Sequence, residues 1–428
     1  MAKQQCTGSR RPRIPASRSE RPACTNIIVP TSSSRRDNRR TFGEPLSTRA
    51  VLVVLAAISL VSTGCPPPVA ATPQSWPQYR YGPSRSGSSS ASPVLNHSNI
   101  DLLTEKWSYG ISTSVVAAPA VVDGVAYGSF YPNKVVALDA TTGALRWTHS
   151  TTNLASWSPV VANGLVFVAT ESGSGPGEVS ALDAATGAES WTFTAGVGMF
   201  APAVVDGVVF VGARNKTLYA LDASTGQTKW SFITGGLVAS SPAIVGGVVY
   251  FSSFDRKVYA LDAATGALRW SSIQLPGAPT DAAVSDGVLY VGSGTGGGQV
   301  SALDASTGQI KWIFTTGRGD FTSSSPAVAE GSVYFGGSDR KVYSVDATTG
   351  SLVWSFTTGA SVSVPVAVID GLVLAGSNDN RLYALDAATG SMNWSRDFGA
   401  PVVSPAVVVN GFVYVGANTM KLHALSLP

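Results

Sequence analysis

Charged residues make up only 13% of this 428-residue sequence, about half the ~25% common in soluble domains. With 44% of residues hydrophobic, that scarcity excludes a highly charged disordered chain and a charge-laced coiled coil. Cysteine is nearly absent. Cys6, Cys24 and Cys65 are the only three, so nothing after residue 65 can supply a disulfide framework, a thiolate metal cluster or a cysteine nucleophile. His97, His149 and His423 are isolated, without metal-ligand spacing, and read as solvated or packed imidazoles. No G-x-S-x-G elbow or Walker loop occurs. Gly292, Gly294 and Gly297 spell G-x-G-x-x-G, but the strand-like QVSALD follows, without the helix dipole that phosphate binding uses. No stretch has a convincing helical period.

Residues 50–61, AVLVVLAAISLV, form an apolar run of 12 residues, short of the roughly 20 that span a bilayer as a helix. The run reads as the h-region of an export signal. STGC follows, so residues 50–65 resemble a signal ending in a lipobox, with Cys65 as the expected acylation site and Ser62 where that box prefers Leu. The alternative is ordinary cleavage near Ala70 and Ala71, releasing a soluble protein. Ahead of the run, residues 1–49 hold eleven basic against three acidic residues, which leaves eighteen basic and twenty-three acidic residues in the remainder. That basic arm is expected to be disordered or removed, so the overall charge of +3 does not indicate a nucleic-acid partner. Residues 66–103, rich in Pro, Ser and Gly, read as a tether and lead-in.

What the sequence has in abundance is repetition. Eight of its ten tryptophans, Trp107, Trp147, Trp191, Trp230, Trp270, Trp312, Trp354 and Trp394, recur at spacings of 39 to 44 residues. That period fits four short strands with their turns. The copy at 241–272 reads SPAIVGG, VVYFSS, KVYALDAATG, ALRWSS: β-branched and aromatic segments bounded by Gly and Asp. Continuous apolar runs such as VVDGVVFVG suit strands buried on both faces. Trp107 has no ALDAxTG before it, and the last copy, KLHALSLP, has no Trp after it. One unit is split between the two ends. The expected fold is all-β: residues 104–428 form an eight-bladed propeller of four-stranded antiparallel blades, closed by the strand near Trp107 joining the last blade.

The repeat resembles the tryptophan-docking pattern AxDxxTGxxxW of quinoprotein-type propellers. Residues 137–147, 181–191, 220–230, 260–270, 302–312 and 384–394 match it throughout, and Ser344 replaces the first Ala in 344–354. Trp76, Pro77, Gln78, Tyr79 and Arg80, with Gly87 and LLTEKW, are similar to that family's lead-in. The resemblance implies one of two functional kinds. Some members are dehydrogenases that use pyrroloquinoline quinone (PQQ), held over the central channel with Ca²⁺ bound by acidic and amide side chains, a catalytic Asp and often adjacent cysteines. Others are non-enzymatic scaffolds, such as the BamB lipoprotein of outer-membrane protein assembly. This propeller has no cysteine, no CxxCH haem site and near-minimal units. The expectation is therefore an exported, lipid-anchored binding or assembly scaffold without cofactor or catalytic residues, with a PQQ-dependent alcohol or sugar dehydrogenase as the alternative. Under the alternative, three or more oxygen-bearing side chains should converge above the channel.

A binding site should show where the copies disagree. Just before the innermost strand they place Ala117, Trp157, Phe200, Ser240, Thr280, Ser324, Ser363 and Val403, so two adjacent blades present large aromatics. Asp281 follows where others have Ala, Ser or Val, and Arg318, Asp320 and Phe321 lie in an extended charged version of the same loop. Trp157, Phe200, Asp281, Arg318, Asp320 and Phe321 are thus the candidate channel-mouth residues. The charges in FDRK, SDRK and NDNR recur around the ring and read as hairpin-turn chemistry. Expected partners are a protein, peptide or glycan of the cell envelope, with membrane contact only through a lipid anchor, the chain being a monomer or part of a hetero-complex.

Overall fold

The computed structural model describes residues 75–428 except 76–77, 79, 83, 90–94, 111–116, 172–175, 295–297 and 317–323. The basic arm, the signal-like run, Cys65 and the lead-in residues Trp76, Pro77 and Tyr79 lie outside the described residues.

Each repeat folds as the strand propensities dictate. Blade four is representative: Ala243–Val245, Val248–Ser253, Lys257–Asp262 and Leu268–Ser271 pair antiparallel in sequence order. Its second strand is buried along its whole length, whereas the fourth strand of blade five, Ile310–Thr315, alternates between part-buried and exposed. Eight such sheets form, and the first strands of successive blades touch from blade one to blade seven, with that of blade eight meeting blade one. Blade eight consists of Val407–Val409, Phe412–Ala417, Lys421–Ser426 and the early strand Thr104–Gly110, with Trp107 opposite Ala424. The ring is closed across the two ends of the repeat array, as the split unit predicts.

The tryptophans lock neighbouring blades together. In each of seven interfaces an indole N–H donates to the alanine carbonyl of the next blade's Asp-Ala turn, from Trp107 to Ala140 at 3.1 Å through Trp270 to Ala305 at 3.0 Å to Trp354 to Ala387 at 2.9 Å. Five tyrosine hydroxyls reach carbonyls of the same set. The glycine of each turn meets two demands. At Gly308, φ is +73°, and a Cβ would lie 2.4 Å from the Trp270 ring, so only hydrogen fits both the turn and the docked indole. The sequence accounts for the first demand and the packing supplies the second.

The seven turn aspartates, from Asp139 to Asp386, each accept N–H bonds from the residues two and three positions on. The Arg269 guanidinium, then the Thr265 hydroxyl, hold Asp262 down at about 2. The Ser306 hydroxyl leads in holding Asp304 at about 2, and the remaining five also sit below the ordinary carboxylate value. A carboxylate lowered on folding stabilises the fold above its unfolded pKa and loses that contribution as pH falls through the folded value. Thermal melts should therefore be flat in this respect above about pH 5 and drop between about pH 4 and pH 2. Asp262→Asn should make that drop shallower, and an unchanged acid limb would show that the turns do not carry it.

The hairpin reading of the recurring charges also holds. The Tyr259, Tyr343 and Tyr383 hydroxyls donate to Asp255, Asp339 and Asp379, while Arg256, Arg340 and Asn380 take positive φ at the turns.

Candidate functional site: a funnel at the channel mouth

The residues just before the innermost strands converge on a cavity of about 710 Å³ that draws its wall from all eight blades, within the usual range for a ligand site. Most of that wall is Ala, Ser, Pro and Val. Trp157, Phe200 and Asp281 all line it, while Arg318, Asp320 and Phe321 lie outside the described residues. Strand register revises the alignment in two blades. Counted back from the hairpin glycines Gly371 and Gly411, the positions equivalent to Phe200 are Val364 and Ser404 rather than Ser363 and Val403, because Ala203, Ala367 and Val407 each pair at the same distance from the turn.

Trp157 and Phe200 pack on each other with ring centroids 5.2 Å apart at 55°. Phe200 is nearly buried, with the Arg214 guanidinium 5.6 Å from its centroid and Arg214 ion-paired to Glu171. Phe200 is therefore a wedge supporting Trp157 more than an open platform. The Trp157 indole N–H is buried and has no partner among the described residues. Three blades on from Trp157, Asp281 accepts the Ser241 N–H at 2.7 Å on Oδ1 and the Ser325 hydroxyl at 3.3 Å on Oδ2, joining blades four, five and six. Phe254, in the hairpin turn of blade four, also lines the cavity; within one copy it reads only as a turn aromatic, and no repeat comparison of the strand entrances includes it.

The lead-in bonds to the innermost strands next to the funnel-lining residues. Val284, Val328 and Val368, at equivalent positions of three innermost strands, donate their N–H groups to Ser84, Ser86 and Gly87 carbonyls at 3.0, 2.8 and 3.0 Å. Ser88–Ser89 then pairs parallel with Val368 and Ile369. Arg85 is fully buried, its Nε donating to Pro242 O at 3.1 Å and its Nη2 to Pro202 O at 2.7 Å. Gly87 has φ +70°, and a Cβ there would meet the Ala327 Cβ at 2.9 Å. These contacts fall just beyond the funnel-lining residues along the same strands, so the segment caps open innermost-strand edges of blades five to seven. The Pro/Ser/Gly-rich lead-in is thus built into the ring.

Oxygen-bearing side chains do converge here: Ser156, Ser158, Ser241, Thr280, Ser325, Ser363 and Asp281. Six are neutral hydroxyls. Asp281 is the one carboxylate among the described lining residues, both of its oxygens are engaged, and no amide side chain joins it. Calcium favours several carboxylate, amide or carbonyl oxygens, so this donor set does not fit a PQQ–calcium pair. Among the described residues no three His, Cys, Asp or Glu side chains cluster. His97 contacts Asp386 and Asn393, and His423 contacts Glu105 and Thr419, each away from the funnel. Gly292 lies on a strand, with the strand Gln299–Asp304 following the loop; Gly297 is outside the described residues.

Solved structures with this fold include quinohemoprotein alcohol dehydrogenase from Comamonas testosteroni, 18% identical, with a TM-score of 0.70 and 84% of this chain and 81% of that one covered. A europium-containing methanol dehydrogenase is 16% identical at TM-score 0.72, covering 83% and 98%. BamB from Moraxella catarrhalis is 19% identical at TM-score 0.58, covering 76% and 97%. Identities this low show the fold alone. Among curated proteins, the serine/threonine-protein kinase AfsK of Streptomyces griseus is 31% identical over 131 residues, which is 28% of this chain and 16% of the kinase. The family model described as outer membrane protein assembly factor BamB matches residues 101–201, 175–280, 255–365 and 338–427. The chain therefore belongs to this family of PQQ-like repeat propellers.

Proposed function

We propose that this chain is a non-enzymatic binding scaffold of the cell envelope, exported and held by a lipid on Cys65, whose ligand enters the funnel. One observation carries the reading: an asymmetric cavity, walled by all eight blades, whose described lining has a single carboxylate and no histidine, cysteine or lysine. Such a lining can hold a ligand by shape and by one charge, but it offers no paired acid and base and no fitting donor set for a quinone cofactor. Family membership supports an envelope location, and the apolar run ahead of Cys65 supports export.

Two measurements test the reading. Full-length protein given PQQ, calcium, a primary alcohol and a redox dye should not reduce the dye; turnover would refute the scaffold. On an array of short peptides, Ser363→Trp, which fills the cavity from a half-exposed wall position, should abolish binding while leaving thermal unfolding within about 1 kcal/mol of the parent. Trp157→Ser should weaken binding as well. Phe200→Ser is a poorer probe, because Phe200 is buried and its removal costs stability.

A further inference from the structure

We infer that the funnel and the apolar surface beside it take a polypeptide segment through one lysine or arginine side chain flanked by apolar residues. This rests on the scaffold reading and narrows its ligand.

Asp281 is the single ionisable side chain in the described wall. A carboxylate has about four lone-pair sites, and the Ser241 and Ser325 bonds account for two. In a cavity otherwise built of small apolar groups, hydroxyls and aromatics, its natural complement is a cation. The partly exposed Trp157 offers a ring face to the alkyl stem or the charge of such a side chain. Among the described residues, two cations of blades three and four are already engaged: Arg214 by Glu171 and Arg256 by Gln274 at 2.9 Å.

The second observation concerns blades three and four. Ile233, Phe254 and Ile273 are 74%, 54% and 69% exposed. At the position three residues after the docking tryptophan, where Ile233 and Ile273 stand, the other blades carry Gly110, Ser150, Thr194, Thr315, Thr357 and Asp397. The repeat therefore does not require isoleucine there. Phe254 N–H donates to Leu237 O at 2.8 Å and Leu275 N–H to Arg256 O at 2.8 Å, which joins the loops that follow Ile233 and Ile273 to the hairpin turn of Phe254. Phe254 also lines the funnel, so exposed apolar surface begins at the cavity wall. A free amine would fill the funnel alone. A chain of several residues covers the patch as well, and the exposed apolar area favours that occupant.

The test uses the full chain and three synthetic peptides that differ only in a central lysine, norleucine or glutamate between leucine and phenylalanine residues, with n-butylamine as the free amine. The lysine peptide should bind about tenfold more tightly than the norleucine peptide, as expected for one charge-assisted hydrogen bond, and the glutamate peptide more weakly than either. Asp281→Asn, which can still accept the Ser241 N–H, should erase the lysine preference without altering norleucine binding. Phe254→Ser, at an exposed position, should weaken the lysine and norleucine peptides by the same factor. Equal lysine and norleucine affinities, or a preference surviving Asp281→Asn, would overturn the charge recognition and leave the scaffold reading standing. n-Butylamine binding as tightly as the lysine peptide would overturn the polypeptide. If none of the three binds while the array still yields Ser363→Trp-sensitive peptides, the inference alone fails.

Discussion

Replacing Trp354 by alanine should destabilise the propeller by about 3–5 kcal/mol, the range for removing a large buried aromatic. The indole is 8% exposed, lies on Gly390 and beside Tyr334, and donates to Ala387 O at 2.9 Å. The deletion leaves a cavity between blades six and seven that the rigid sheets cannot close. Trp354→Phe separates packing from hydrogen bonding. The Ala387 carbonyl still accepts the Tyr334 hydroxyl at 3.2 Å, so it is not orphaned, and the phenylalanine variant should lose only about 1–2 kcal/mol. Denaturant unfolding of the three proteins measures both effects; equal losses in Ala and Phe would mean that the indole N–H, and not the ring, holds the blades.

Arg85→Met should cost about 2–5 kcal/mol, because it leaves the Pro202 and Pro242 carbonyls buried without the donors they now have, at about 1–3 kcal/mol each. A point charge does not replace the planar fork, so Arg85→Lys should restore only part of this. Location matters more than size in this case. If the lead-in is held by Arg85, hydrogen exchange should accelerate at Val284, Val328 and Val368, whose N–H groups bond to it, while amides of the central strands such as Val249 keep their protection. A uniform change across the ring would show instead that Arg85 contributes only to global stability.

How far residues could be read without coordinates depended on how local their reasons are. Strands, turns, blade number and the two-ended closure follow from periodicity, because each repeat states its four strands again and Trp107 and the last copy lack complementary parts. Asp281 and Trp157 were legible as departures from that repetition. The equivalents in blades seven and eight were misplaced by one residue, since proline marks the strand entrance in sequence whereas pairing from the hairpin sets the register. Phe254, a hairpin aromatic, has no distinguishing sequence context; only its position beside blade three's loop carries it to the cavity.

The scarcity of charge has a physical cause in the structure: middle strands covered on both faces by adjacent blades leave few positions where a charged side chain would keep its water. That much the sequence determined by itself, together with an eight-bladed ring and its docking tryptophans, because short-range patterns repeated eight times admit few other ways to bury their apolar faces. Only the tertiary structure decided that the lead-in is built into the ring. Arg85 sits in GPSRSG, which reads as an irregular lead-in segment, and its acceptors Pro202 and Pro242 are 117 and 157 residues away. A hydrogen bond over that separation leaves no mark on local composition; it exists because closing the ring brings unpaired strand edges from distant repeats around a single axis.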